Sequence, residues 1–171
     1  MATTQEIKER CDISRAKLEE NEETQVAEIN TIDELFRLRL FATKEPRVTR
    51  LRIHKLIVVS GVSGPTLKLI TQYIPKNLVA EALEVNPANL ARLYQRKYLS
   101  RTQTEVLEDL ARLWGIIDEE LFAGDQQMMR RWLETPVPAL DGEPPMKLMA
   151  SLTGRKLLNG HIKKLKSGDY S

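Results

Sequence analysis

Between Ser100 and Gly124 the chain places Val106, Leu110, Leu113, Trp114, Ile117 and Leu121 at intervals of three and four. A strand would scatter these side chains over both faces. A helix gathers them on one. Ser100 supplies an N-cap hydroxyl and Gln103 stands at the third helical position, which together make a capping box. Gly124 then ends the run, and Asp125 caps a further helix. The pattern predicts helices over 101–122 and 126–134. A helix of 22 residues is about 33 Å long, so the rest of the chain must pack around it. Aromatics are only 5% of the 171 residues, so the core is built from leucine and other aliphatic side chains. These are helix formers, and the predicted fold class is all-α.

Further helices are expected over 65–74, 76–83, 87–98, 144–150 and 154–166. Thr31 and Glu34 form a second capping box, which opens a short helix carrying Leu35, Leu38 and Phe41 until Pro46 breaks it. Thr4 to Glu28 reads as a solvated helix or partly ordered arm. Residues 47–61 fit two patterns. Leu51, Ile53, Ile57 and Val59 alternate as in a strand, while Val48, Leu51, Leu56 and Val59 fit a helical face. Helix is the reading adopted. The segment GVSGPT (61–66) lacks the Gly-Lys-Ser/Thr ending of a phosphate loop and reads as a turn. Residues 135–145 hold four prolines and predict a rigid, extended connector.

Charge is segregated. Residues 1–34 carry a net −6, 35–77 a net +8, 78–135 a net −3 and 136–171 a net +3. The basic block can track phosphates or pair with the acidic N-terminal block, within or between chains. Cys11 is the single cysteine, so no internal disulfide forms, as in a reducing cytoplasm. Neither a signal peptide nor a membrane span is expected. The two histidines, His54 and His161, have basic neighbours in sequence and no adjacent carboxylate to poise them as bases. No metal-ligand spacing occurs. The expectation is a non-enzyme without a cofactor or metal.

Residues 77–95 read as two short helices around the turn EVN. Ala80 is small where the helices approach, Val85 plugs the turn and Asn86 caps the second helix. That helix would present Ala88, Asn89, Arg92, Gln95 and Arg96 outward. Asn and Gln can pair with adenine, and Arg with guanine, so these residues and Asn86 are the candidate DNA-binding set. A helical hairpin within a bundle would show the same pattern. Glu84 stands where the turn usually has glycine. Trp132 and the methionines Met128, Met129, Met146 and Met149 are read as core residues.

The second half resembles the toxin-binding domain of Xre/MbcA/ParS-type antitoxins. The resemblance rests on Leu99-Ser100, Gly124-Asp125, Arg131-Trp132-Leu133, Thr135-Pro136, Pro138-Ala139-Leu140, Gly142, Pro144 or Pro145, Leu148 and the ending Gly168-Asp169-Tyr170-Ser171. Two departures stand beside these: a shorter, more basic SLTGRKLL, and an abbreviated helix-turn-helix. The expected organisation is a charged N-terminal extension (1–60) outside the resemblance, a helix-turn-helix-like region (61–99) and, as the resemblance implies, a toxin-binding domain (100–171). The resemblance also implies an antitoxin that neutralises a RES-type, NAD-degrading toxin and represses its own operon. A homodimer is expected, since the stripe on the long helix looks too apolar for one small domain to bury. The expected toxin contacts are Lys166, Gly168, Asp169, Tyr170 and Ser171, with the tail plugging the toxin's cleft. The alternative is a dimeric helix-turn-helix regulator with no toxin partner.

Overall fold

The computed structural model describes residues 29–41 and 48–168. Among these every regular element is helical. The helices are α1 (Ile32–Phe41), α2 (Arg50–Val59), α3 (Gly64–Tyr73), α4 (Lys76–Ala82), α5 (Leu90–Tyr94), α6 (Arg101–Phe122), α7 (Gln126–Glu134), α8 (Pro145–Met149) and α9 (Leu152–Ser167). Short 3-10 turns occupy Pro87–Asn89 and Pro138–Leu140. The expected arm over Thr4 to Glu28, and Pro46, lie outside the described residues.

Helix α6 is the axis of the fold. It packs against α1, α2, α4, α7 and α9. Leu107, Leu110, Leu113 and Ile117 are buried within one chain, and Trp114 with them. Leu110, Leu113, Trp114 and Ile117 need no second chain to cover them, so this stripe does not by itself call for a dimer. The stripe is also wider than its periodicity implied. Thr104 and Ala111 are buried too, because α6 has neighbours on several sides.

Capping chemistry set the ends as expected. The Ser100 hydroxyl accepts from the Gln103 amide (3.2 Å), and the Gln103 side chain accepts from the Ser100 amide (3.2 Å). Asp125 Oδ1 accepts from the Gln127 and Met128 amides. At α1 the Thr31 hydroxyl accepts from the Glu34 amide, and Glu34 Oε2 accepts from the amides of Thr31 and Asn30. Helix α1 buries Ile32, Leu35 and Phe36, whereas Phe41 is exposed at its end. There it meets Tyr73 edge-on, with ring centroids 5.3 Å apart.

Residues 50–59 are helical, but neither expected face is the inner one. Ile53, Leu56 and Ile57 point inward, while Leu51 and Val59 are exposed. The helix is apolar on both sides, so periodicity could not choose between them.

The turn at 61–64 has a packing role. Val62 O accepts from the Leu99 amide (2.8 Å), the Gly64 amide donates to Arg96 O (3.0 Å), and the Val62 amide donates to the buried Thr104 hydroxyl (3.0 Å). Two stretches of backbone thus cross in contact. A Cβ at Gly61 would collide with the Leu99 carbonyl, and one at Gly64 with the Tyr94 carbonyl. Only glycine permits that approach. The Ser63 hydroxyl caps α3, and its amide donates to Asp33 Oδ1 (2.9 Å), which ties the turn to α1.

Candidate functional site

The C-terminal elements form a packed unit on the end of α6. Met129 and Leu133 of α7, Met149 of α8, and Leu158 and Ile162 of α9 are all buried. Met128, expected in the core, is exposed instead (57%), one step round the helix from Met129. Trp132 is half-buried and packs on Phe122, ring centroids 5.7 Å apart, which fixes the α6–α7 turn. The four-proline connector is not extended. The Val137 carbonyl accepts from the amides of Leu140 and Gly142, and the Val137 amide donates to the Glu143 carbonyl. Asp141, with φ of 55°, closes this compact turn. The prolines fix φ in a curved path here rather than a straight one.

Arg155 was missed by sequence reasoning and organises the unit. It is 3% exposed. Its Nε donates to Asp109 Oδ2 (2.6 Å), and Nη1 donates to the carbonyls of Met149 (2.8 Å) and Ala150 (3.3 Å). One guanidinium thus joins α6, the end of α8 and the start of α9. Asp109 Oδ1 also accepts from Arg112 Nη2 (2.7 Å). Burial alone would raise the Asp109 pKa, but hydrogen bonds and charge from Arg155 and Arg112 hold it below the ordinary carboxylate range. No sequence signal separates Arg155 from the exposed cations near it in α9.

Helix α9 begins at Leu152, two residues before the expected start, because the Ser151 hydroxyl accepts from the Gly154 amide (3.0 Å). The helix contains Arg155, Lys156, Lys163, Lys164 and Lys166 and no acid. Lys156, Lys163 and Lys164 face solvent, and Leu157 beside them is 61% exposed. Lys166 Nζ meets Glu120 Oε2 at 2.8 Å, so the expected contact residue clasps the end of α9 to the end of α6. Gly168 has φ of 70°, and its amide donates to the Lys164 carbonyl. It ends the helix in the left-handed conformation. Asp169, Tyr170 and Ser171 lie outside the described residues.

Asp118 sits near the same end of α6. Burial raises its carboxyl pKa, partly offset by a hydrogen bond from Gln126. Its Oδ1 is buried without a hydrogen-bond partner among the described residues.

The second candidate surface lies around α4 and α5. Ala80 of α4 is buried and Val85 is half-buried. The Val85 amide donates to the Ala80 carbonyl (2.9 Å), and Glu84 takes φ of 55°, doing glycine's work in the turn. Asn86 Oδ1 accepts from the Ala88 amide. Asn86, Ala88, Asn89, Arg92, Gln95 and Arg96 are each exposed. The expected helix over 87–98 is shorter, a 3-10 turn followed by Leu90–Tyr94. Gln95 caps its end, and Arg96 lies in the turn whose carbonyl holds Gly64. Leu90 and Leu93 anchor the segment inward, and the Tyr94 hydroxyl bonds Thr71 (3.0 Å).

His54 has carboxylates near it in space, though not in sequence. It lines a groove of about 210 Å³ with Glu105, Glu108 and Asp109. Those carboxylates are already engaged: Glu105 with Arg101, Glu108 with Arg39 and Asp109 with Arg112 and Arg155. Arg39 and Glu108 are nearly buried and meet at 2.7 Å. The groove is thus bordered by ion pairs that brace α1 and α9 against α6.

Among the described residues no helix is long and apolar enough to cross a membrane. No curated protein matches the chain. Residues 119–165 match the family model of the antitoxin Xre/MbcA/ParS C-terminal toxin-binding domain. The match runs from the end of α6 through α7, the connector and α8 into α9, the segment that packs as the unit described above.

Proposed function

We propose, with the toxin-binding family match of the C-terminal segment as premise, that this protein is an antitoxin that acts by forming a stoichiometric complex with its cognate toxin. The observation that carries this reading is that the matched segment is a braced unit, not a set of loose helices. Arg155, Trp132 and the Lys166–Glu120 pair hold α7, α8 and α9 on α6. Such a platform meets a partner with little ordering cost. The finer reading is a RES-type, NAD-degrading toxin, the class implied by the family resemblance, neutralised in the cytoplasm without catalysis by this chain.

Contact with the toxin runs over the outer face of α9 and continues into the tail. Gly168 turns the chain out of the helix. The Asp169 carboxylate suits a cleft that binds a pyrophosphate cofactor. Tyr170 supplies an aromatic anchor. Co-expression with the RES-type product of a neighbouring reading frame tests the proposal. Restored growth and a co-purifying complex are expected; continued toxicity with both proteins folded and no complex refutes it.

The second reading, a DNA-binding regulator, is supported by the exposure of each of Asn86, Ala88, Asn89, Arg92, Gln95 and Arg96. The two readings join if the antitoxin represses its own operon as a homodimer.

A further inference from the structure

Helix α2 is apolar on the side that faces solvent. Leu51 is 64% exposed, Val58 56% and Val59 82%. Leu51 and Val58 lie seven positions apart, two helical turns, on one stripe with Lys55 between them. The opposite side already buries Ile53, Leu56 and Ile57. A ten-residue helix with apolar residues on both sides calls for a cover on each. The cations around this stripe, Arg50, Arg52 and Lys55, are also exposed.

We propose that the outer face of α2 is the docking surface for the chain's own acidic N-terminal segment, residues 1–28. Three observations choose this occupant. The segment joins the described structure at α2 itself, where Arg52 Nη2 donates to the Ile29 carbonyl (2.8 Å) and to Asn30 Oδ1 (3.3 Å). Its charge is complementary, with eight acidic and four basic residues against the cations of α2. Its length suffices. Even at a helical rise, 28 residues reach about 42 Å, nearly three times the length of α2. A second copy of the chain fits less well. A two-fold contact through this face would set Arg50, Arg52 and Lys55 against their own images.

The test uses the full chain with Cys11→Ser, so that one introduced thiol reports. Leu51→Cys and Val58→Cys are alkylated in parallel with Leu157→Cys on α9, whose native side chain has similar exposure. Circular dichroism checks that each variant is folded. Nearby cations speed a thiol by favouring the thiolate, so an open α2 face would react at least as fast as α9. The expected result is at least ten-fold slower alkylation at 51 and 58, independent of protein concentration. Reversing Glu19, Glu20, Glu22 and Glu23 to Lys in the same chain should restore the fast rate. Equal rates at all three sites overturn the proposal. Protection that grows with protein concentration overturns it in favour of a second copy, and protection that survives the charge reversal overturns it as well.

Discussion

Glu84, Ala123 and Asp141 hold left-handed backbone, with φ of 55°, 49° and 55°. This conformation costs an L-residue about 1–2 kcal/mol, and glycine almost nothing. Ala123→Gly and Glu84→Gly are each expected to raise unfolding free energy by about 1 kcal/mol, read as a higher urea midpoint with unchanged slope. Gly64→Ala should do the reverse. Its methyl would meet the Tyr94 carbonyl, and a loss of about 1–3 kcal/mol is expected from overpacking. The two perturbed carboxyls predict opposite pH effects. Asp109 has a depressed pKa in the fold, so its stabilisation is present above the unfolded value, about 3.9, and is lost as pH falls through the folded one. Asp109→Asn should flatten the acid limb of the stability curve and cost stability at pH 7. Asp118 has a raised pKa. Its contribution is fully present below the unfolded value and fades as pH rises through the folded one. Asp118→Asn should therefore stabilise the protein at pH 7 and change little at pH 3, as thermal melts at the two values would show.

At the scale of elements, what could be read in advance was what local chemistry fixes. The bounds of α6 and α7 follow from Ser100, Gln103 and Asp125, whose capping bonds involve only near neighbours. The same chemistry at Ser151 would have set the start of α9, had its hydroxyl been weighed. What could not be read depends on neighbours distant in sequence. The inward face of α2 is decided by α6, since both sides are apolar. The connector curls because Val137 and Glu143 find each other across Asp141. Arg155 looks like any lysine-rich helix residue until Asp109, on another helix, is placed beside it. In the candidate site the cap at Gly168 was legible, while the Lys166–Glu120 clasp was not. Helix α9 carries its own prediction. A Cβ at Gly160 would have open space around it, so Gly160→Ala should stabilise the free protein by about 0.5–1 kcal/mol in chemical denaturation. If the outer face of α9 meets the toxin, a bulky Gly160→Trp should weaken the complex while leaving the fold intact, as titration calorimetry would report.

For the whole molecule, the proposed roles in toxin binding, DNA binding and self-association are separable by experiment. Deleting Gly168 to Ser171 is expected to abolish toxin neutralisation while leaving the helical signal and thermal midpoint near those of the full chain; full protection by the shortened chain would move inhibition elsewhere on the domain. Arg92→Ala should relax base preference in a gel shift on the upstream region, whereas losing Arg96 should weaken binding to all sequences; no shift at low salt would end the DNA reading. Light scattering decides the homodimer, which no longer follows from the buried stripe on α6. The arrangement of Arg155 has a further consequence, in the time domain. A single buried cation satisfies carbonyls at the end of α8 and a carboxylate on α6. Lifting α9 alone would take Arg155 from Asp109 Oδ2, leaving only Arg112 on that carboxylate, and would bare both carbonyls at once, so the last two helices should open as one cooperative unit. Amide hydrogen exchange would then show α8, only five residues long, protected to the same free energy as the middle of α9, where an isolated turn would exchange almost at once.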